Sequence, residues 1–128
     1  MMIRILCVGM GGFLGAILRY VISGRVQEWS KSIDFPYGTL VVNLLGCLVI
    51  GLLSYLSETR SMFSPEVRLC VFVGLLGSFT TYSTFSNEAM VLLGDGKHLA
   101  ALAYIGTHLF LGLGAVWLGH MLAWQIWR

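Results

Sequence analysis

The sequence predicts an all-α membrane protein of four transmembrane helices per subunit, and three observations lead there. Of 128 residues, 57% are hydrophobic and 11% charged, and the mean hydropathy is +0.82, whereas a water-soluble domain of this length needs a far more polar surface. Apolar stretches near the roughly 20 residues that cross a bilayer run over residues 5–22, 38–56, 67–93 and 99–127. The segments between them are short and carry turn chemistry.

Each element follows from its residues. The first apolar run comes after Arg4 and so resembles a secretory leader, but no small-x-small cleavage site follows and Arg19-Tyr20 interrupts its end, so it is expected to stay in the protein. A connection over residues 23–37 closes with Phe35-Pro36-Tyr37-Gly38 before the second helix. Residues 57–66 end in Ser64-Pro65-Glu66, where Ser64 suits an N-cap and Pro65 the first helical position of the third span. Gly94-Asp95-Gly96-Lys97 is a tight turn into the fourth helix. Residues 1–128 are therefore one transmembrane domain, with no extramembrane segment long enough to fold separately. Trp29, Trp117, Trp124 and Trp127, with Tyr20, Tyr37 and Tyr55, fall mostly near helix ends, where amphipathic rings settle among headgroups.

Charge bounds the partners and the topology. The eight Lys and Arg against six Asp and Glu give a net charge of +2, with no basic stripe of the kind that binds nucleic acid, so no nucleic-acid partner is expected. With four crossings, Arg4, Arg60, Arg68 and Arg128 share one face of the membrane, while Arg19, Arg25, Lys31 and Lys97 share the other. An even division sets no preferred orientation. It predicts insertion both ways and an antiparallel homodimer about an axis in the membrane plane, unless the balance among the charges is fortuitous.

Four helices of this length pack around side chains and leave no interior channel, so polar groups are expected to line a surface between subunits. Small residues spaced for close helix contact recur at Gly11 and Gly15, Gly12 and Ala16, Gly46 and Gly51, Gly74 and Gly77, and Ala115 and Gly119. The glycine string over residues 8–15 sits inside an apolar run, with neither a preceding strand nor a ribose-binding acid, which argues against a dinucleotide site.

The chemically loaded segment is residues 74–88 of the third span, where Ser78, Thr80, Thr81, Ser83, Thr84 and Ser86 bring hydroxyls to mid-membrane. Lipid requires none of them. Hydroxyls compete for helix carbonyls and β-branched residues weaken a helix, so the third helix is expected to be broken at mid-membrane. The freed carbonyls at that depth need a partner, and an ion is a natural one. An unbroken helix whose Ser and Thr bond back to their own turn is the other reading of the same residues.

Three motifs resemble one family. Gly12-x-x-Gly15-Ala16-x-x-Arg19-Tyr20, then Gly38-Thr39-x-x-x-Asn43-x-x-Gly46, then Gly77-x-x-Thr80-Thr81-Tyr82-Ser83-Thr84-Phe85-Ser86-x-Glu88 are similar, in that order, to the Fluc family of fluoride channels, also called CrcB. The resemblance covers essentially the whole chain. It implies an antiparallel, dual-topology homodimer in the plasma membrane that passes fluoride passively out of the cytoplasm through two pores, with a structural Na⁺ at its centre.

By position, the resemblance implies that Gly77 and Thr80 offer backbone carbonyls to that Na⁺, hard oxygen ligands that suit the cation. Asn43 would donate its amide to fluoride and Phe85 the positive edge of its ring. Tyr82 stands where the family has a Phe, keeping a ring edge and adding a hydroxyl. Ser83 and Thr84 would supply donors nearby, and Tyr104 would begin a polar track on the fourth helix. Where the family places serines one and two turns on, this chain has His108 and Gly112. His108 either donates to the anion or is a satisfied interhelical histidine, and Arg19 either draws anions to a vestibule or reaches the headgroups.

Enzymatic motifs are missing from the sequence: there is no nucleophile elbow, no H-E-x-x-H and no cysteine pair at metal spacing among Cys7, Cys47 and Cys70. A four-span proton-coupled exporter of drugs or guanidinium is one alternative, but it requires a carboxylate in the first helix and none precedes Glu28. A non-transporting membrane subunit is another, and it would leave the hydroxyl run without a purpose.

Overall fold

The computed structural model describes residues 1–127, with only the backbone of Arg60. Arg128 and the side chain of Arg60, both counted in the charge balance above, lie outside the described residues. Helix α1 spans Met2–Ser30 and α2 spans Tyr37–Arg60. The third span begins with α3 (Pro65–Arg68) and a π-helical stretch, Leu69–Leu76, then passes through a single turn, α4 (Gly77–Phe79), into α5 (Tyr82–Gly94). Helix α6 runs over His98–Trp127. Among the described residues, four helical segments are long and apolar enough to cross a membrane. Their outward faces are apolar, with Phe13 67%, Leu102 66% and Phe110 73% exposed, a surface suited to acyl chains rather than water. The chain is an all-helical, multi-pass membrane protein.

Helix α1 outlasts its apolar run. Residues 23–30, expected as connection, are helical, and α1 stops only at Lys31, which adopts φ 52 and donates its N–H to the Glu28 carbonyl. Gln27 secures this extension. Its Nε2 donates to the carbonyls of Ser32 and Phe35 at 2.7 and 3.2 Å, and its Oε1 accepts from the Gly38 N–H at 3.1 Å. One side chain thus closes the turn and starts α2, so the helix boundary is set by capping and not by where the hydrocarbon ends. Ser64 accepts from the Val67 N–H at 3.3 Å, with Pro65 at the first helical position.

Packing pairs α1 with the first half of the third span, and α2 with α6. Bare backbone makes both approaches possible. A Cβ at Gly11 would strike the Cys70 carbonyl, and one at Gly51 the Val116 carbonyl. Helices that gain little from hydrophobic burial in lipid associate through close contacts of this kind. On the side of the bundle that carries both the first and the third connection, Lys97 Nζ lies 2.7 Å from Asp34 Oδ1.

Candidate functional site

After Phe79 the third span changes character. Thr80 (φ −82, ψ 158) and Thr81 (φ −150, ψ 113) are extended and separate α4 from α5. In an uninterrupted helix the Thr81 N–H would donate to the Gly77 carbonyl and the Thr84 N–H to that of Thr80. Instead, Thr81 donates to Asn43 Oδ1 at 2.8 Å, and Thr84 donates to Thr81 Oγ1 at 3.2 Å. The helical donors of the Gly77 and Thr80 carbonyls are engaged elsewhere. Close approach of α2 permits this, since a Cβ at Gly46 would strike the Thr80 side chain.

Asn43 pairs with Thr81 on both sides. While Oδ1 accepts from the Thr81 N–H, Nδ2 donates to the Thr81 carbonyl at 3.1 Å. A side-chain amide here replaces the helix's own partners for a residue that would otherwise leave two backbone groups unpaired in a low-dielectric setting. The second Nδ2 hydrogen meets His108 Nε2 at 3.2 Å. His108 Nδ1 lies 3.0 Å from the Tyr104 carbonyl, and because a carbonyl only accepts, the ring proton sits on Nδ1 and Nε2 is the acceptor. His108 is neutral in this arrangement.

Rings surround that network. The centroid of Phe85 is 4.3 Å from that of His108 and 5.4 Å from that of Tyr104, with Tyr82 at 5.7 Å from Phe85. Tyr104 is fully buried, and its hydroxyl donates to Glu88 Oε2 at 2.6 Å. Thr39, also buried, donates to Glu88 Oε1 at 3.0 Å. Both oxygens of a carboxylate inside the span are therefore held by hydroxyls, which offsets the cost of placing a charge there.

Two cavities meet at Thr81. One, of about 580 Å³, is lined by Asn43, Gly77, Thr80, Tyr82, Phe85 and His108 along with apolar side chains. The other, of about 350 Å³, carries Arg19, Tyr20, Thr39 and Thr84. The sequence-predicted residues thus divide between two sides of one backbone interruption. Ser83 is exposed beside them, its Oγ 3.5 Å from Thr81 Oγ1, and Tyr104 is buried behind Phe85 instead of lining either space. Gly112 faces the larger cavity, where a Cβ would come within 3.7 Å of Cys47 Sγ.

Sequence reasoning did not single out Thr81 or Thr39 as site residues and assigned Glu88 no role. An acid within an apolar span is itself the signal for such a cluster, because it must be partnered. Which hydroxyls answer it depends on tertiary approach.

A family described as CrcB-like protein, Camphor Resistance (CrcB), matches residues 6–120. The chain belongs to the CrcB family. Among relatives, this CrcB chain is 46% identical over 122 residues to a protein of Methanosarcina acetivorans named fluoride-specific ion channel FluC 1, covering 95% of this chain and 92% of that one. A Methylobacillus flagellatus protein named fluoride-specific ion channel FluC is 42% identical over 118 residues, covering 92% of each. A third, of the same name from Oceanobacillus iheyensis, is 43% identical over 121 residues, or 94% of this chain and 91% of its own.

Proposed function

We propose that this chain is the subunit of a fluoride-selective, passive ion channel that lets fluoride leave the cytoplasm across the plasma membrane and so lowers its toxicity. It acts as a channel subunit and not as an enzyme. The observation that carries the reading is the group of neutral donors and ring edges gathered around Asn43 and Phe85, open along one side of the bundle. Fluoride is small, strongly hydrated and a strong hydrogen-bond acceptor, so shedding its water must be offset by closely placed donors. Hydroxyls, an amide and aromatic edges provide them without a fixed charge that would trap the ion. The names borne by relatives of 46% and 42% identity point the same way.

The working unit in this reading is an antiparallel homodimer with two pores. Tyr82 is 79% exposed and Gly77 is exposed beside it, as expected of a face completed by a second copy. Asn43, Tyr82, Ser83, Thr84, Phe85 and His108 belong to the anion path, with Tyr104 supporting Phe85 and His108 from behind, and Arg19 draws anions into the smaller cavity. The break in the third helix also fits a structural Na⁺ at the dimer centre. Carbonyls of Gly77 and Thr80, whose helical donors are bonded to Asn43 and Thr81 side-chain atoms, are the hard oxygen ligands such an ion takes. Bound there, the ion would tie two copies together and add positive potential near the pores.

Purified protein in liposomes loaded with fluoride, followed with a fluoride electrode, tests the reading. Fluoride is expected to leave with charge movement while chloride stays. Asn43→Ser and Phe85→Ile should each slow fluoride by at least about tenfold, equivalent to about 1.4 kcal/mol. Proton-coupled, electroneutral exit would indicate an exporter instead, and undiminished flux in both variants would remove these residues from the path.

A further inference from the structure

We infer that His108, on taking up a proton, joins the Asn43 amide to make a two-donor site for one small anion, so that fluoride binding is linked to protonation of this histidine. The inference rests on the channel reading above. Its basis is the placement of hydrogens in the Asn43 network. Thr81 needs an acceptor for its N–H and a donor for its carbonyl, and Asn43 supplies both at 2.8 and 3.1 Å. The amide cannot turn over, because exchange of its oxygen and nitrogen would set donor against donor and acceptor against acceptor. Its second N–H is therefore directed to His108, whose neutral Nε2 absorbs it at 3.2 Å.

A protonated imidazole carries N–H on both nitrogens. The one on Nδ1 keeps the Tyr104 carbonyl, 3.0 Å away. The one on Nε2 then confronts the Asn43 N–H across a gap that held a hydrogen bond. Two opposed donors repel unless an acceptor enters between them, and nitrogens this close can both donate to one small ion lying beside the line that joins them. Proton and anion thus favour one another, and the coupling is reciprocal. A large halide cannot approach both nitrogens as closely, so the linkage is expected for fluoride and not for chloride.

Groups from the neighbouring elements face the ring. Phe85 lies against the ring at 4.3 Å between centroids, within the range of a cation–π contact. From α2, Cys47 lines the same cavity as His108, as does Tyr82 from α5. From α6, Tyr104 stacks edge-on at 4.5 Å. Glu88 on α5 has both oxygens occupied by Tyr104 and Thr39, so it does not compete for Nε2.

The test uses the full chain in vesicles with equal pH on both sides, at about pH 8 and about pH 5.5, which bracket the range in which histidine charges. Protein-free vesicles correct for leakage of the undissociated acid. Wild-type fluoride affinity, read from the fluoride concentration that half-saturates efflux, is expected to be at least about fivefold tighter at the lower pH. His108→Gln, which can accept from Asn43 but cannot bind a second proton, should show no such dependence of fluoride affinity on pH, whatever its rate. In detergent, ¹⁵N shifts of the His108 ring should report a higher apparent pKa in fluoride than in chloride, a readout that does not depend on any variant folding. Fluoride affinity independent of pH or weaker at acid pH, a His108→Gln profile matching wild type, or the same titration in both salts would overturn the inference alone. Failure of the wild type to pass fluoride at any pH would overturn the channel reading and this inference with it.

Discussion

Before Thr80 the third span lies against α1 through bare backbone, and beyond Thr81 it meets α2 and α6 through hydroxyls, a carboxylate and rings. In the first half, Gly11 and Gly15 of α1 sit where a Cβ would strike the carbonyls of Cys70 and Leu75, and the Ser78 hydroxyl donates across to the Gly12 carbonyl at 2.9 Å. In the second half, Asn43 pairs with Thr81, and Glu88 is shared by Thr39 and Tyr104. The difference teaches that a span can be fixed by contact at one end and by directed bonds at the other. Contact has no tolerance for added volume, while directed bonds tolerate volume and fail when a donor is lost.

The contact half offers the largest expected effect. Gly15→Val places a branched side chain onto the Leu75 carbonyl and the Ser78 hydroxyl. Backbone has nowhere to yield without parting α1 from the third span, so the cost is expected to exceed about 3 kcal/mol, beyond ordinary overpacking. On size-exclusion chromatography in mild detergent the variant should aggregate or fail to appear. A single peak at the wild-type position, melting at the wild-type temperature, would mean that the seam can open and that contact does not fix this half.

Tyr104→Phe probes the directed half with less disruption. It keeps the ring packed against Phe85 and His108 but removes the donor to Glu88. Hydrogen bonds to charged groups contribute about 1.5–3 kcal/mol, and Tyr104 is fully buried, so a clear fall in melting temperature is expected. The folded protein should nonetheless survive, in contrast to Gly15→Val. An unchanged melting temperature would show that Glu88 finds another donor, and the contrast between the two halves would blur.

The same contrast explains what could be read in advance. Four spans were legible because apolar length is a local property, and the glycine pairs were legible because helical spacing places them on one face. Residues 23–30 escaped because a helix leaving the bilayer loses its apolar signal while Gln27 goes on capping it across the turn. The hydroxyl run over residues 78–86 marked the polar half, since oil gives such residues no reason to be there. Its wiring was not legible. Asn43 is separated by 38 positions from Thr81 and by 65 from His108, and only the close approach of α2 to Thr80 decides which donor meets which acceptor. The resemblance to a family named the positions, whereas the tautomer of His108 and the partners of Glu88 needed the fold.

The smallest expected effect lies outside both halves and serves as their control. Lys97 bridges Asp34 at 2.7 Å, with side chains 37% and 69% exposed. Asp34, chiefly by accepting its hydrogen bond, raises the Lys97 pKa above the ordinary 10.5. A raised pKa in the folded protein contributes stability that is fully present below the unfolded value and is lost as pH climbs through the folded one. The Lys97 side of this bridge is therefore fully charged at neutral pH, and its contribution is lost as pH climbs through the alkaline range above 10.5. Water screens a pair this exposed, and such pairs contribute little. Lys97→Met should melt within a degree or so of wild type at neutral pH, and about 1 M salt, which shrinks the screening length to about 3 Å, should erase the remainder. A larger difference that survives salt would mean that the bridge orders the connection between α1 and α2, and that the two halves of the third span are not the only places where the bundle is held.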